Sequence, residues 1–544
     1  MFGPSFPVRE MALAAALALA ALGCAEPEPA PSNEPQPSDP EPAADATTAD
    51  APTGPAGPGG PPPAWVASVL AQPRGVLRNE EGAAPGYVLV VPLRAGSAHL
   101  VDRDGQVVHS WQQETIGFAD HLLDDGSLLR SSALEEPPNF KAGGVAGTIR
   151  RISWEGEVLW EWTLATNEQI LHHDIEPLPN GNVLLLAWEL VSREDAIAAG
   201  RDPAQVPEQG LWVDWVLEVE PVGRDDARIV WEWHVWDHLV QDRDPALANH
   251  GDPAELWGRL DVNADVRPAA EDEEEIARLK ALGYIPDDAT PEDLRSDFLH
   301  VNSIDHHPGF DQIALSVPSL GELWILDHST TTGEARGSSG GRSGKGGEIL
   351  YRWGNPRTTR RGEVADQRLF FQHQVEWVPE GYPGAGHLTL FNNGQARPDG
   401  EYSSVLELAP PASADGRYQA PADGPWPPAE PEWTWRPPGE EPLFSPIISG
   451  AHRLPNGNTF VCFGPQGHLF EVTPAGEVVW EYRNPYSGDA AGWMPPEATR
   501  LAYAMFRARK IPPDHPGLAG RELTPLDPQP EPFVAEPPGP PPAG

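Results

Sequence analysis

Cysteine is almost missing from this chain: Cys24 and Cys462 are the only two in 544 residues. That excludes a disulfide framework and any cysteine-ligated metal centre. Cationic residues are scarce as well, with 37 Lys and Arg against 81 Asp and Glu, a formal charge of −44. Such a field repels polyphosphates and anionic headgroups, so nucleic acid is set aside as a partner. An anionic substrate would need a local cationic site. Long apolar runs are absent apart from Met11–Leu22, which is too short to cross a bilayer. The glycine-rich loop Gly337–Gly347 carries Arg342 and Lys345, but its spacing matches no nucleotide-binding fingerprint.

What is present at the N-terminus has a secretory pattern. Arg9 precedes the apolar run, which ends at Leu22-Gly23-Cys24. This resembles a bacterial lipoprotein cleavage box, with Ala21 where a leucine is usual. The expectation is a lipoprotein signal peptide over 1–24, with Cys24 as the lipidated residue. A disordered Pro/Ala/Glu-rich tether then runs over 25–63. An exported protein, periplasmic or at the cell surface and lipid-anchored, is implied. Cys462 sits in the apolar stretch Thr459–Phe463 and reads as an inert core thiol.

A turn recurs through the rest of the chain. Pro179-Asn180-Gly181-Asn182 returns as Pro455-Asn456-Gly457-Asn458, and Asp125-Gly126 is a third copy. Looser versions lie at Pro308–Asp311 and Tyr382–Gly386. Asn-Gly and Asp-Gly adopt positive φ at little cost, as tight hairpins require. Each copy leads into an apolar strand, and a second hairpin with a Trp-rich outer strand follows, as at Val107–Trp111, Val158–Trp162 and Val230–Trp236. About six such units in a helix-poor chain predict an all-β, six-bladed β-propeller over 64–493, with a β-sandwich pair as the alternative. The tryptophans are expected to pack between blades rather than to bind ligand. The segment 237–298 reads as a charged helical insertion, a surface decoration or else a lid. A helix is expected over 497–509, within a C-terminal helix and Pro-rich tail spanning 494–544.

Aligning the copies on their turns exposes two polar columns. Three places before the turn stand His121, Glu176, Asp305, Glu376 and His452; six places before it stand His173, Asn302, His373 and Ser449. In a closed ring these columns line a central funnel. They could merely solvate a channel, or histidines from different blades could hold a metal. His172, His173 and Asp174 are consecutive, so on a regular strand they would alternate faces and not converge.

The phrase Asp297-Phe-Leu-His-Val-Asn-Ser303, taken with Gln372-His373 and Phe391-Asn392-Asn393-Gly394 followed by Arg397, resembles the bacterial arylsulfate sulfotransferases that need no nucleotide sulfate donor. The likeness runs from about Gly86 to Pro485 and includes His172-His173-Asp174 and Phe444-Ser445-Pro446-Ile447. It implies a propeller that moves a sulfuryl group from an aryl sulfate to a phenol through a sulfohistidine. No cofactor and no metal are implied. On that resemblance His300, His373, Arg397 and His452 are the catalytic candidates; His452 leads as nucleophile, with His468 as its rival. Asn302, Asn392 and His173 would bind substrate. Imidazole is a competent nucleophile near neutrality, and a guanidinium fork suits sulfuryl oxygens. The chain departs from some relatives at Pro318, where they carry a basic residue, and in the unpaired Cys462. A homo-oligomer is compatible with this reading. The competing readings are a catalytically silent propeller that binds a ligand or protein in its funnel, and a quinoprotein or metal-dependent hydrolase.

Overall fold

The computed structural model describes residues 72–134, 137–264, 288–439, 443–488 and 502–533, together with Ile276, Ala277, Leu279, Lys280 and Ile285. The proposed signal peptide, Cys24 and the tether lie outside the described residues.

Six antiparallel sheets are arranged as a propeller. Blade 2 consists of Gly117–Leu122, Leu128–Ala133, Gly147–Ile152 and Val158–Thr163. Blade 3 is Gln169–Pro177, Val183–Val191, Leu211–Val222 and Asp226–His234. Blade 4 is Ser303–His307, Gln312–Val317, Glu322–Asp327 and Tyr351–Trp353. Blade 5 is His373–Trp377, Leu388–Asn392, Ser404–Leu408 and Trp433–Trp435. Blade 6 begins with Gly450–Arg453, Thr459–Phe463, His468–Val472 and Val478–Arg483. In each, the first strand is innermost. The turns that join it to the second share one geometry: Gly126, Gly181 and Gly457 have φ of 84°, 89° and 88°, and their N–H groups bond back to Leu123, Leu178 and Leu454.

The ring closes through both ends of the described chain. Gly75–Asn79 adds a fifth, outer strand to blade 6 by pairing with Val478–Arg483. Blade 1 takes its inner strand, Arg509–Ile511, from the C-terminal segment and its other three from Tyr87–Val90, Ser97–Val101 and Val107–Gln112. This corrects the expected helix over 497–509. Residues 497–501 fall outside the described residues, no helix is formed over 502–508, and Arg509–Ile511 is a strand. The local sequence favours a helix, but an unfilled edge on Tyr87–Val90 offers the backbone a full ladder, and tertiary pairing overrides propensity.

The tryptophans stitch the seams. Indole N–H groups donate from each blade to the next: Trp111 to the Ser153 carbonyl, Trp160 to Asp226, Trp233 to Gly347, Trp353 to Pro428, Trp435 to Gly476 and Trp480 to Arg103. That circuit crosses all six seams and ends where it began, so the expected packing role of these residues holds. Cys462 is buried in blade 6, and burial pushes its thiol up to about 12.

Within the insertion, Leu239–Val240 pairs in parallel with Leu260–Asp261, and Pro291–Ser296 is a helix with a Thr290–Asp293 capping box. Its buried Ile276, Leu279, Ile285 and Ala289 join one contiguous apolar cluster with Ile447, Ile448 and Phe506 beside the funnel. The insertion is therefore packed into the molecule on its apolar side rather than carried as a solvated decoration.

Candidate active site

The inner strands of the six blades place both columns around the axis. The first column is a ring of His121, Glu176, Asp305, Glu376 and His452, and the C-terminal strand supplies its sixth member, Arg509. Arg509 lies 3.0 Å from the Glu376 carboxylate. Burial alone would raise the Glu376 pKa, but the Arg509 charge and, less, His452 outweigh it and leave it depressed. Asp305 is pushed up to about 8 by burial and then by Glu376, and Glu176 is raised well above its usual value by burial and then by Asp305. These carboxyls are surrounded by protein yet keep some exposure to the channel. Burial thus favours the neutral forms of Asp305 and Glu176, while Arg509 favours the charged form of Glu376.

The second ring holds His173, Asn302, His373 and Ser449, with Phe118 and Phe506 in the remaining places. The Phe118 and Phe506 rings are 6.4 Å apart, edge to face. Backbone strain concentrates here: φ is positive at His173 (49°), His300 (57°), Phe371 (57°), Gln374 (45°), Ile448 (47°) and Ser449 (88°). Each costs about 1–3 kcal/mol and persists where function re-aims side chains. The ladder between blade 3's first two strands slips where His172–Asp174 would pair, a bulge that overturns strict face alternation. Consequently the His172 and His173 Nδ1 atoms lie 2.9 Å apart.

The Asp214 carboxylate is 3.4 Å from His172 Nε2. One of the two Nδ1 atoms donates to the other, and His173 Nε2 is buried without a hydrogen-bond partner. Gly144 stands directly against this ring, where a Cβ would fall 2.1 Å from Nε2. The His300 ring meets that of His173 edge to face at 4.5 Å, and His300 Nδ1–H donates to Asp297. Burial holds His172 and His173 well below their usual pKa, and it brings His373 to about 3, so these imidazoles are neutral. His373 donates from Nδ1 to Asn393 Oδ1 at 2.8 Å and accepts the Ile448 N–H at 3.1 Å. A buried guanidinium, Arg507, pairs with Asp174 at 2.8 Å, and its charge reaches both His173 and His373. Neither Arg507 nor Arg509 was picked out from the sequence, because both lie in the segment expected to be a helix.

Residues 90–327 match the family model described as Arylsulfotransferase (ASST). Over this stretch, somewhat under half of the chain, the sequence is similar to the arylsulfotransferase family. The match takes in His172, His173, Asp214, Asp297, His300 and Asn302, while His373, Arg397 and His452 lie beyond it. No curated protein matches the chain. Among solved structures, similar ones include a protein of unknown function from Bacteroides caccae (10% identity, 74% of this chain and 94% of that one, TM-score 0.38). Kuenenia stuttgartiensis hydrazine synthase is 8% identical over 74% of this chain and 80% of that one, TM-score 0.30. Staphylococcus aureus virginiamycin B lyase, as an inactive H270A form with quinupristin, is 10% identical over 76% and 88%, also TM-score 0.30.

The arylsulfotransferase-family candidates named from sequence do not all meet. His173, His300 and His373 converge, with Phe371 6.0 Å from the His300 ring and 5.9 Å from the His373 ring. Asn302 Nδ2 donates to the Gln372 carbonyl at 2.9 Å and leaves its buried Oδ1 unpartnered beside them. Asn392 uses both ends of its amide on the chain at Arg368 and Phe370 and so acts as a brace for blade 5. Arg397 donates to Tyr402 Oη at 2.9 Å and Ser404 Oγ at 3.2 Å, and stacks over the Tyr402 and Phe370 rings. Among the described residues it contacts none of the funnel histidines. His452 stands in the other ring, its Nε2 accepting the Lys510 N–H at 3.2 Å. Burial brings it to about 4, so the neutral ring carries its proton on Nδ1 and has no spare lone pair.

Proposed function

We propose that this chain transfers a sulfuryl group from a phenolic sulfate ester to a phenol, without a nucleotide donor, through a sulfohistidine at His173. The observation that carries this reading is the convergence of the His173, His300 and His373 rings at the axis, within reach of the Arg507 charge. The His173 lone pair attacks sulfur, and the S–O bond to the aryl group breaks with its electron pair leaving on the phenolate. The His173 Nδ1 proton passes to His172, whose new charge Asp214 balances. His300, held by Asp297, protonates the departing phenolate and then takes the proton of the incoming phenol. Arg507 neutralises the sulfuryl oxygens as charge moves off them. Phe371 and Phe506 flank these histidines and suit an aromatic substrate.

His452 was the nucleophile expected from the resemblance. We transfer that role to His173 because His452 Nε2 is already occupied as an acceptor. The test incubates the protein with a chromogenic aryl sulfate, with and without a phenol acceptor, and traps the enzyme for mass spectrometry. Acceptor-dependent release, an 80-Da adduct (about the mass of SO₃) on the His173 peptide, and loss of both in His173→Asn are expected. An adduct on His452, or full activity in His173→Asn, overturns the assignment. Equal release without acceptor indicates a sulfatase instead, and no release from folded protein leaves the binding propeller. We extend the proposal to an exported form anchored by lipid on Cys24, to be checked by radiolabelled fatty-acid incorporation and its loss in Cys24→Ala.

A further inference from the structure

Away from the funnel, on the turn side of blade 4, three metal-ligating side chains converge. His306 ends the inner strand, Asp311 sits in the turn that follows, and His328 follows the third strand. One donor atom from each lies within 4.8 Å of the others. Asp311 Oδ1 is 3.1 Å from His306 Nε2 and 2.8 Å from His328 Nδ1. Two ligands at about 2.0–2.1 Å from a tetrahedral zinc stand roughly 3.3 Å apart, so a few tenths of an ångström would open this trio around an ion. The backbone already holds the geometry: Asp311 has φ of 57°, and its N–H bonds to the His307 carbonyl at 2.8 Å.

The surroundings have the second layer of a metal site. His328 Nε2 is 3.1 Å from Glu218 Oε2 in neighbouring blade 3. Asn180 and Asn182, in the blade 3 turn, both donate to the other Glu218 oxygen. A carboxylate on the far nitrogen fixes the ring and raises its basicity, the usual support of a metal-bound histidine. Trp231 packs edge to face on the His328 ring at 4.8 Å. Arg342 lies 3.8 Å from Asp311 Oδ2 and is mostly exposed, so it can swing into solvent, while the proton that Asp311 and Glu218 hold on His328 is what a metal would displace.

We propose that His306, Asp311 and His328 bind a divalent transition metal, zinc by their N/N/O donor set, in a site that fastens the seam between blades 3 and 4 and leaves a fourth position for water. It is independent of the sulfuryl-transfer reading. Protein purified without chelator and dialysed against zinc should hold about one zinc per chain by elemental analysis. Cobalt in its place should give the intense visible bands of a tetrahedral ion. His328→Ala and Asp311→Asn should lose both while keeping the circular dichroism of the fold, and His307→Ala, next door but outside the trio, should keep both. Glu218→Gln should bind zinc roughly 10–100-fold more weakly. Folded wild-type protein without stoichiometric zinc, or the same zinc content in His328→Ala, refutes the site.

Discussion

Replacing Arg509 by methionine should destabilise the whole propeller through one carboxylate. Arg509 is 17% exposed and Glu376 13%, and they stand 3.0 Å apart. Glu176, Asp174 and Asp305 also add to the field that holds the Arg509 proton. Methionine keeps much of the volume but strands Glu376 in a buried, acid-lined ring. Removing one partner of such a pair costs about 3–5 kcal/mol. At about 2.1 cal/mol/K per residue, a folded ring of roughly 400 residues melts about 4–6 °C lower. Because Arg509 holds the Glu376 pKa down, this stability is present above the ordinary carboxylate pKa and is lost as pH falls through the depressed value. The gap between wild type and variant should therefore be full near pH 7 and should close in acid. Adding Glu376→Gln removes the stranded charge and should recover most of the loss. Thermal melts followed by circular dichroism, over a pH series, read all of this. A single variant that melts with the wild type, or a double variant no better than the single, refutes the account.

Asp305 carries the opposite sign: with its pKa raised to about 8, its contribution is full below the ordinary carboxylate value and declines as pH rises. Asp305→Asn should flatten the fall of Tm between about pH 5 and pH 8, where the wild-type slope reaches up to about 1.4 kcal/mol per pH unit. Asp214→Asn should remove the carboxylate that would balance a proton received by His172 and lower the aryl sulfate turnover rate by roughly 10²–10⁴. An unchanged rate for that variant sinks the proton relay. Trp480→Phe deletes the bond to the Arg103 carbonyl across the closing seam. It should cost about 1–3 kcal/mol, read as a lower urea midpoint.

Hairpin chemistry and periodicity made the architecture legible. Asn-Gly turns and Trp-rich outer strands repeat because every blade solves the same packing problem, so the number of blades and the columns facing the axis could be read directly. Where the repeat breaks, sequence reasoning loses its grip. The sixth inner strand comes from hundreds of residues downstream, with no turn to align it, so Arg507 and Arg509 were missed. Their signal was the empty sixth place in each column. The His172–His173 contact was hidden by a bulge, since alternation is a rule for regular strands only. Asn392 and Arg397 match a phrase, but hydrogen-bond partners decide their use, and those partners come from other turns of the chain.

The inner strand of blade 1, Arg509–Ile511, makes late-synthesised residues serve the first blade. A nascent chain emerging from a ribosome or a translocation pore cannot shut the ring until that strand arrives, so the fold is completed only after essentially the whole propeller has passed through. The same arrival delivers Arg507 and Arg509 to the axis. Closure and the arrival of these two cations are one event, so a chain broken off before Arg509 leaves the ring open.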